Sequence, residues 1–477
     1  MHYKEKKKVR ELLQVSIDGL IGKGATRLSE KPLGQIEGSL SLVKEILEKE
    51  AIRPDRTLDQ LSKLQELARQ DYATKKCDDL CDTLMQSFDA EVESRFKVVF
   101  FPYKASMWDS LESIYFAARD DDSCDVEVVP IPYYKLSKDN AESTYEGDLF
   151  PEDIPITYYS AYDLEKERPD VIYVHNIYDQ HNTLTRVFEE YYTINLKKYT
   201  DVLVYVPYCL FSFIPGSTTE YIAYKLPGIK NVDKVILQAD YLRKAALDFG
   251  VPPNKLLVLG SPKVDKVVNS MSQSLVYAEE WREKIENKTV FLLDTHLLYF
   301  ANQQPFKQLE TLIKILNIPN YIEDSVLIWR PHPLFMSGIK NYNPYFTDFF
   351  EDLIQNRIGR GEYSNVIFDE NPNYLTTILA ADVYIGGLFS LMHSVLFTDK
   401  QIILLESELP AGSLLPSNLF EFLFDIEGIK VASLRGVLQD KQITTKHRRS
   451  ALKNVYANID GSSGETIYMT IKNQLCL

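Results

Sequence analysis

FKVVFFPYKASMWDSLESIYFAARDDDSCDVEVVPI, residues 96–131, sets the texture of most of this chain. It opens on an apolar run, Val98–Phe101, passes through a helical stretch, Met107–Ala118, and returns to a β-branched run, Val126–Ile131. Strand, crossover helix and strand in that order predict a parallel pair, because parallel neighbours need a connection that recrosses the sheet. The alternation continues through Val171–Val174, Val202–Val206, Val235–Leu237 and Leu256–Leu259, with Tyr241–Phe249 as a further crossover helix. These runs are short and continuously apolar, as strands covered on both faces must be. A charged connector around Lys266–Lys288 separates them from a second series: Val290–Leu293, Val326–Trp329, Val366–Phe368, Val383–Ile385 and Ile402–Leu405. The expected fold class is α/β, a pair of Rossmann-type domains with parallel sheets.

Upstream of Phe96 the pattern is helical. Ile36, Leu40, Val43 and Leu47 share one helix face, and Leu58, Leu61, Leu64 and Leu67 come next at three-residue spacing. Thr57 with Gln60 suggests a capping box at the start of the second set. At 477 residues the chain exceeds one compact core. The expected division is 1–94 for a small N-terminal helical module, 95–275 for the first Rossmann-like domain, and 276–477 for the second with its C-terminal helices.

The net charge of −15 excludes a general nucleic-acid binder, which needs a basic footprint. Lys4, Lys6, Lys7, Lys8 and Arg10 are the local exception; they suit either an anionic membrane surface, contacted peripherally, or a solvated helix end. The five cysteines show no disulfide or zinc spacing. Neither a signal peptide nor a bilayer-length apolar run is present, so a soluble, cytoplasmic protein is expected. Tyrosine is frequent, at 30 residues; its apolar face and polar tip suit carbohydrate-like ligands as well as cores.

In open parallel sheets ligands bind beyond the strands' carboxyl ends, so polar residues there are the candidates. VIYVHNIYDQHN, residues 171–182, delivers His175, Asn176, Asp179, His181 and Asn182 into one loop, and His175 suits a general base. VLIWRPHP, residues 326–333, ends in Arg330 and in His332 held between two prolines, a donor pair for a diphosphate. LGSPKVDK, residues 259–266, offers Gly260, Ser261 and Lys263 as a phosphate-facing turn. ADVYIGGLFSLMHSVL, residues 381–396, passes through Gly386 and Gly387 into a helix starting near Ser390, whose free N–H groups could hold an anion. His393 reads as packing. Asp120, Asp121 and Asp122 read as a solvated turn, and Ser106 has no assignable catalytic partners. No metal site is expected.

Together FPYKASMWDSLESIYFAA, VEVVPIPYY, YEGDLFP, PDVIYVHNIYD, LVYVPY, LGSPKVDK and WRPHP resemble the CDP-glycerol:poly(glycerophosphate) glycerophosphotransferases, the family of the teichoic acid polymerases and primases. The resemblance spans about residues 98–405. It implies a GT-B-like arrangement with the first domain on the acceptor side and the second on the nucleotide side. It also implies CDP-glycerol as donor substrate, CMP as leaving group, a glycerol phosphate or glycan acceptor, and no cofactor or obligatory metal. Arg330 and His332 match the family's Arg-x-His-Pro and would stabilise the diphosphate. Gly260, Pro262 and Asp265 match its Gly-x-Pro-x-x-Asp turn, with Lys263 where Arg is common; Ser390 matches the second residue of its Ser-Ser pair. Three departures stand out. Pro207 and Tyr208 occupy the place of the family's His-Gly, leaving His175 as the substitute base. Gly386-Gly387-Leu388-Phe389-Ser390 lacks an acid and one hydroxyl, and Thr398-Asp399-Lys400-Gln401 replaces Thr-Gly-Lys-Pro. Three readings remain open: an active polyol-phosphate transferase in surface-polymer synthesis, a degenerate member acting as a binding or partner subunit, and a GT-B glycosyltransferase using another nucleotide-sugar.

Overall fold

A computed structural model describes residues 1, 3–21, 33–50, 52–69, 75–137, 140–216, 218–272, 279–296, 300, 304–422 and 441–476. In chain order the strands of the first lobe are β1 (Phe96–Phe101), β2 (Cys124–Val128), β3 (Tyr133–Leu136), β4 (Ala141–Thr144), β5 (Val171–Val174), β6 (Thr185–Val187), β7 (Val202–Tyr205), β8 (Lys234–Leu237) and β9 (Leu256–Val258). The second lobe contributes β10 (Thr289–Thr295), β11 (Ser325–Pro331), β12 (Val366–Phe368), β13 (Val383–Gly386), β14 (Gln401–Leu404) and β15 (Glu421–Phe422).

Each lobe is built on a six-stranded sheet, ordered β2-β1-β5-β7-β8-β9 in the first and β12-β11-β10-β13-β14-β15 in the second. Every pairing within them is parallel. The strand order reverses beside the first strand of each lobe, between β1 and β5 and between β10 and β13. Helices on opposite faces leave a crevice at such a reversal, which is where doubly wound sheets hold ligands. The result is a GT-B-like pair of Rossmann-type lobes preceded by a helical module, the expected fold.

The apolar runs became strands because both faces are covered: every residue of β5 and β13 is buried. The edges differ from expectation for local reasons. β2 stops at Val128 because Pro102, next in line on the β1 side, has no N–H to return, although the Val129 and Ile131 N–H groups still reach the Phe100 and Pro102 carbonyls (2.9 and 2.8 Å). β10 runs beyond Leu293 and carries Asp294 and Thr295 into the sheet. A small antiparallel sheet, β4-β3-β6, was not expected; its strands are three or four residues long and partly exposed, too short for a periodic signal.

Four helices, Tyr3–Ile21, Leu33–Leu47, Asp55–Arg69 and Lys75–Glu91, form the N-terminal module around Leu13, Leu40, Leu61 and Phe88. Ile36, Val43, Leu47, Leu58 and Leu64 are buried there as expected, while the Leu67 side chain lies outside the described residues. No capping box forms at Thr57: its helix starts at Asp55, and the Glu91 carboxylate takes both the Thr57 N–H (2.8 Å) and hydroxyl (2.7 Å). The basic cluster is partly consumed within the chain. Lys4 pairs with Asp201 (2.9 Å), Arg10 with Asp89 (2.9 Å), and Lys6 donates to the Asp89 carbonyl (3.2 Å), leaving Lys7 and Lys8 exposed. Among the described residues no helix is long and apolar enough to cross a membrane.

The chain crosses back at its end. The helix Ser463–Cys476 packs on Glu112–Arg119 of the first lobe, where Ile467, Tyr468 and Ile471 join the core around Ile114 and Tyr115. The expected 276–477 domain is corrected accordingly: its last helix belongs to the first lobe. Asp121, expected to be a solvated turn residue, fixes that helix by accepting from the Tyr468 hydroxyl (2.7 Å) and the Lys472 ammonium.

Candidate functional site

The carboxyl edges of the two sheets face each other across a cleft of about 330 Å³. The first lobe contributes Ser106 and Met107 from the loop after β1, Tyr208 and Cys209 from the loop after β7, and Lys263. The second contributes Asp294 and His296 at the end of β10, Arg330 and His332 at the end of β11, Tyr374, and Phe389 and Ser390 from the loop after β13. Four of the expected residues, Arg330, His332, Lys263 and Ser390, therefore share one cavity.

Arg330 is held on several sides. Its guanidinium pairs with Asp369 and donates to Thr377 Oγ1 (3.3 Å) and the Asn371 carbonyl (2.7 Å), which fixes the plane it offers the cleft. His332 Nδ1 accepts from the Leu334 N–H (3.0 Å), so in the neutral ring the proton sits on Nε2. Its backbone N–H donates to the Thr295 carbonyl (2.8 Å), tying the Pro-His-Pro loop to β10. Burial lowers the His332 pKa; burial, then the neighbouring His332, lowers that of His296. Both rings are thus neutral near pH 7 and act through hydrogen bonds. They meet edge to face at 5.4 Å, and His296 stacks on Phe389 at 4.1 Å.

Asp294 is in register with Arg330 and accepts from the Tyr384 hydroxyl (2.9 Å). Burial pushes its carboxyl up to about 6, against the opposing pull of Tyr384 and Arg330. A carboxyl titrating there can exchange a proton in the physiological range. Across the cleft, Lys263 pairs with Asp109 (2.6 Å), and the same Asp109 oxygen accepts from the Tyr374 hydroxyl of the second lobe (2.8 Å). Lys263 also sits 5.2 Å from the Tyr374 ring centre. This group joins the lobes.

The remaining expected residues lie elsewhere. His175 is fully buried. Its Nε2 accepts from the Tyr103 N–H (3.2 Å), so the proton is on Nδ1, which faces Ser110 Oγ (3.1 Å). Burial lowers its pKa to about 3. With both nitrogens occupied and no surface on the cleft, His175 cannot serve as an acceptor's base there; it secures the loop bearing Ser106 and Met107. Asn176 caps its own turn through the Tyr178 N–H (2.9 Å), and Asn182 accepts from the Leu184 and Thr185 N–H groups (2.9 and 3.1 Å). Asp179, at φ 46°, binds the Thr193 N–H and hydroxyl (3.0 and 2.7 Å), and His181 is exposed. The 171–182 cluster lies behind the cleft wall with most of its polar groups spent on nearby backbone and on Thr193, though the buried Asn176 amide nitrogen has no partner among the described residues. It touches the wall through Tyr208, whose ring lies 6.3 Å from His175.

The 259–266 turn is likewise occupied from within. Gly260 has φ +91°, and a Cβ there would stand 2.4 Å from Ser463 Oγ. Asp265 accepts from the Ser463 and Gly464 N–H groups (3.0 and 2.7 Å) and Ser113 Oγ (2.8 Å), and Ser261 is buried at the head of the helix Pro262–Ser270. These residues hold the last helix; only Lys263 reaches the cleft. Gly386 and Gly387 leave room for neighbouring rings, since a Cβ would meet the Tyr384 hydroxyl at 2.3 Å or the Phe389 ring at 2.5 Å. Ser390 opens a helix of only six residues, Ser390–Val395. His393 in that helix is buried against Phe213 (6.2 Å), with its pKa lowered to about 4 by burial. Asp294, His296, Asp109 and Tyr374 were not anticipated. The first two come directly after the apolar run of β10, so the strand-end rule applied to that run would have found them. Among the described residues no group of three or more His, Cys, Asp or Glu could hold a metal ion.

Fold and cleft together define a two-lobed α/β protein of GT-B-like architecture. No protein-family model matches the chain, and no curated protein matches it. Among solved structures it is similar to a Listeria monocytogenes protein described as a UDP-N-acetylglucosamine 2-epimerase, at 12% identity over 80% of this chain and 97% of that one, with a TM-score of 0.50. It is also similar to the UDP-GlcNAc 2-epimerase of Methanocaldococcus jannaschii (15%, 79% and 100%, 0.48) and to the wall teichoic acid polymerase TagF (13%, 88% and 98%, 0.48). The first of these likenesses bears on the fold alone, and the chemistry rests on the cleft itself.

Proposed function

We propose that this chain is a transferase that moves glycerol phosphate, or a related polyol phosphate, from a CDP-activated donor to a hydroxyl of a cell-surface polymer or glycan precursor. The observation that carries the reading is the convergence of Arg330, His332 and Ser390 with Lys263 in one interlobe cleft beside the β10/β13 reversal. In the reaction the acceptor oxygen attacks the glycerol-bearing phosphorus, the bridging P–O bond breaks, and CMP leaves. Arg330 and the His332 Nε2–H are the donors for the charge that builds on the departing phosphate. His175 is withdrawn as the base, and Asp294 takes the acceptor's proton. Thermal shift with CMP, CDP-glycerol and UDP tests the binding half, since a ligand that binds only the folded chain raises its melting point. Selective cytidine stabilisation is expected. A uridine response would redirect the assignment to a nucleotide-sugar, and no response would remove it. A CMP-release assay with His332→Ala then tests the chemistry; unchanged turnover would take His332 out of the mechanism.

Two observations favour the second reading, a binding subunit without turnover. Arg330 and Lys263 both already have carboxylate partners, and Phe389 stacks on His296 within the stretch where the family resemblance implies an acid and a further hydroxyl. Cytidine stabilisation without CMP release would support it.

A further inference from the structure

On the first lobe, away from the cleft, lies a separate pocket of about 520 Å³. Its walls include four tyrosines, Tyr159, Tyr162, Tyr191 and Tyr199, together with Glu165 and Glu190. No lysine or arginine lines it, and neither Glu165 nor Glu190 has an ion-pair partner among the described residues. Two cations flank it: Arg168, over the Tyr199 ring at 5.7 Å with its Nε donated to the Glu165 carbonyl, and Lys198, whose ammonium donates to Asn195 Oδ1 (2.7 Å). Tyr158, half exposed, extends the aromatic surface by packing on Tyr159 at 4.7 Å and Tyr145 at 5.1 Å.

We infer that this pocket binds a carbohydrate carrying no acidic group, neutral or amino-bearing. Aromatic faces match the apolar C–H face of a sugar ring, and phenol, carboxylate and amide groups match its hydroxyls. The volume is within the range of small-molecule sites, about 300–1,000 Å³. The carboxylates decide the class: Asp163, Glu165 and Glu190 line the wall and outnumber the two cations that flank it, so a phosphate or uronate entering here meets mostly like charge, whereas an amino group or a hydroxyl meets an acceptor.

The pocket is mechanically joined to the cleft. Phe101, the last residue of β1, has its ring against Tyr162 (5.8 Å) and Tyr191 (5.6 Å), and the chain runs on from Phe101 into the loop whose Ser106 and Met107 line the cleft. Resting on the transferase reading, the pocket is a second site on the acceptor-side lobe that holds the glycan part of the acceptor at a distance from the site of transfer.

The test is a saccharide array of neutral, amino, phosphorylated and uronic members, probed with the labelled full-length chain and with Tyr199→Ala, Glu190→Gln and His332→Ala. Neutral or amino saccharides are expected to be retained. Tyr199→Ala should weaken them about tenfold, Glu190→Gln should weaken amino members most, and His332→Ala should leave them unchanged. Retention of anionic members only, of none, or of neutral members equally by Tyr199→Ala would overturn the inference. The cytidine thermal shift runs independently. A nucleotide response without saccharide binding sinks this pocket alone, and saccharide binding without a nucleotide response sinks the transferase reading alone.

Discussion

Replacing Asp294 by Asn should make this protein more stable at neutral pH, and the size of the gain is set by where the carboxyl sits. Burial holds its pKa at about 6 against an ordinary 3.8, so the folded chain keeps the proton to higher pH than the unfolded chain. Below about pH 4 both states are protonated and the group is neutral in either. As pH rises through 6 the folded state must ionise a buried carboxyl that the unfolded state ionised long before. The favourable contribution present in acid is therefore lost progressively between about pH 4 and 6 and is absent above. At 1.36 kcal/mol per pH unit the full penalty is about 3 kcal/mol, an upper figure because local relaxation reduces it. Asn keeps the shape and a partner for the Tyr384 hydroxyl without the charge. Thermal melting of parent and Asp294→Asn from pH 4 to pH 8 should show a gap that opens between about pH 4 and 6, levels off above 6 and favours the variant, while CMP release falls. A gap independent of pH, or a parent more stable than the variant at pH 8, would show that the ionised carboxylate is welcome there and refute the reasoning. A residue that costs stability at the floor of a cleft fits the trade between stability and activity.

Gly260→Ala forces a side chain into a left-handed backbone position and onto Ser463, so a loss of about 2 kcal/mol or more is expected, with earlier proteolytic release of the C-terminal helix. Unchanged melting would show that the last helix yields freely. His175→Ala leaves the Tyr103 N–H buried without its partner, at about 1–3 kcal/mol. Turnover should fall with stability while its pH profile keeps its shape, because a group held at about 3 does not titrate in the working range; a lost limb in the profile would restore His175 as the base. Asp109→Asn removes the charge shared by Lys263 and Tyr374, and should tighten CMP binding while expanding the particle in small-angle scattering. Unchanged affinity would mean that Lys263 does not meet the nucleotide.

The sheets were legible because burial on both faces writes itself into consecutive residues: β5 and β13 could only be interior strands. The polar groups were less legible, because a loop satisfying its own backbone and a loop presenting a site use the same side chains. Asn176, Asp179 and Asn182 are spent on N–H groups within a few residues or, for Asp179, on Thr193, and nothing in VIYVHNIYDQHN distinguishes that use from catalysis. LGSPKVDK misled through distance. Gly260 and Asp265 answer to Ser463 and Gly464 at the far end of the chain, a contact that only the crossing of the last helix creates. Arg330 and His332 were found because their surroundings are determined locally: a buried strand ends at Pro331, and Pro331 and Pro333 hold the turn around His332 in one shape.

Both cations of the cleft wall are balanced before any ligand arrives, Arg330 by Asp369 and Lys263 by Asp109. The two pairs differ in what holds them. Arg330, Asp369, Thr377 and Asn371 all belong to the second lobe, so that pair moves as a unit and presents a fixed edge to a phosphate. Asp109 is shared between a lysine of its own lobe and a tyrosine of the other, so any rotation that parts the lobes breaks the Tyr374 bond while leaving Lys263 and Asp109 together. With the lobes as they stand, the Tyr374 hydroxyl is a second donor on the Asp109 oxygen that Lys263 uses, so a neutral group competes with the ammonium for that oxygen and leaves more of its charge for an anion in the cleft.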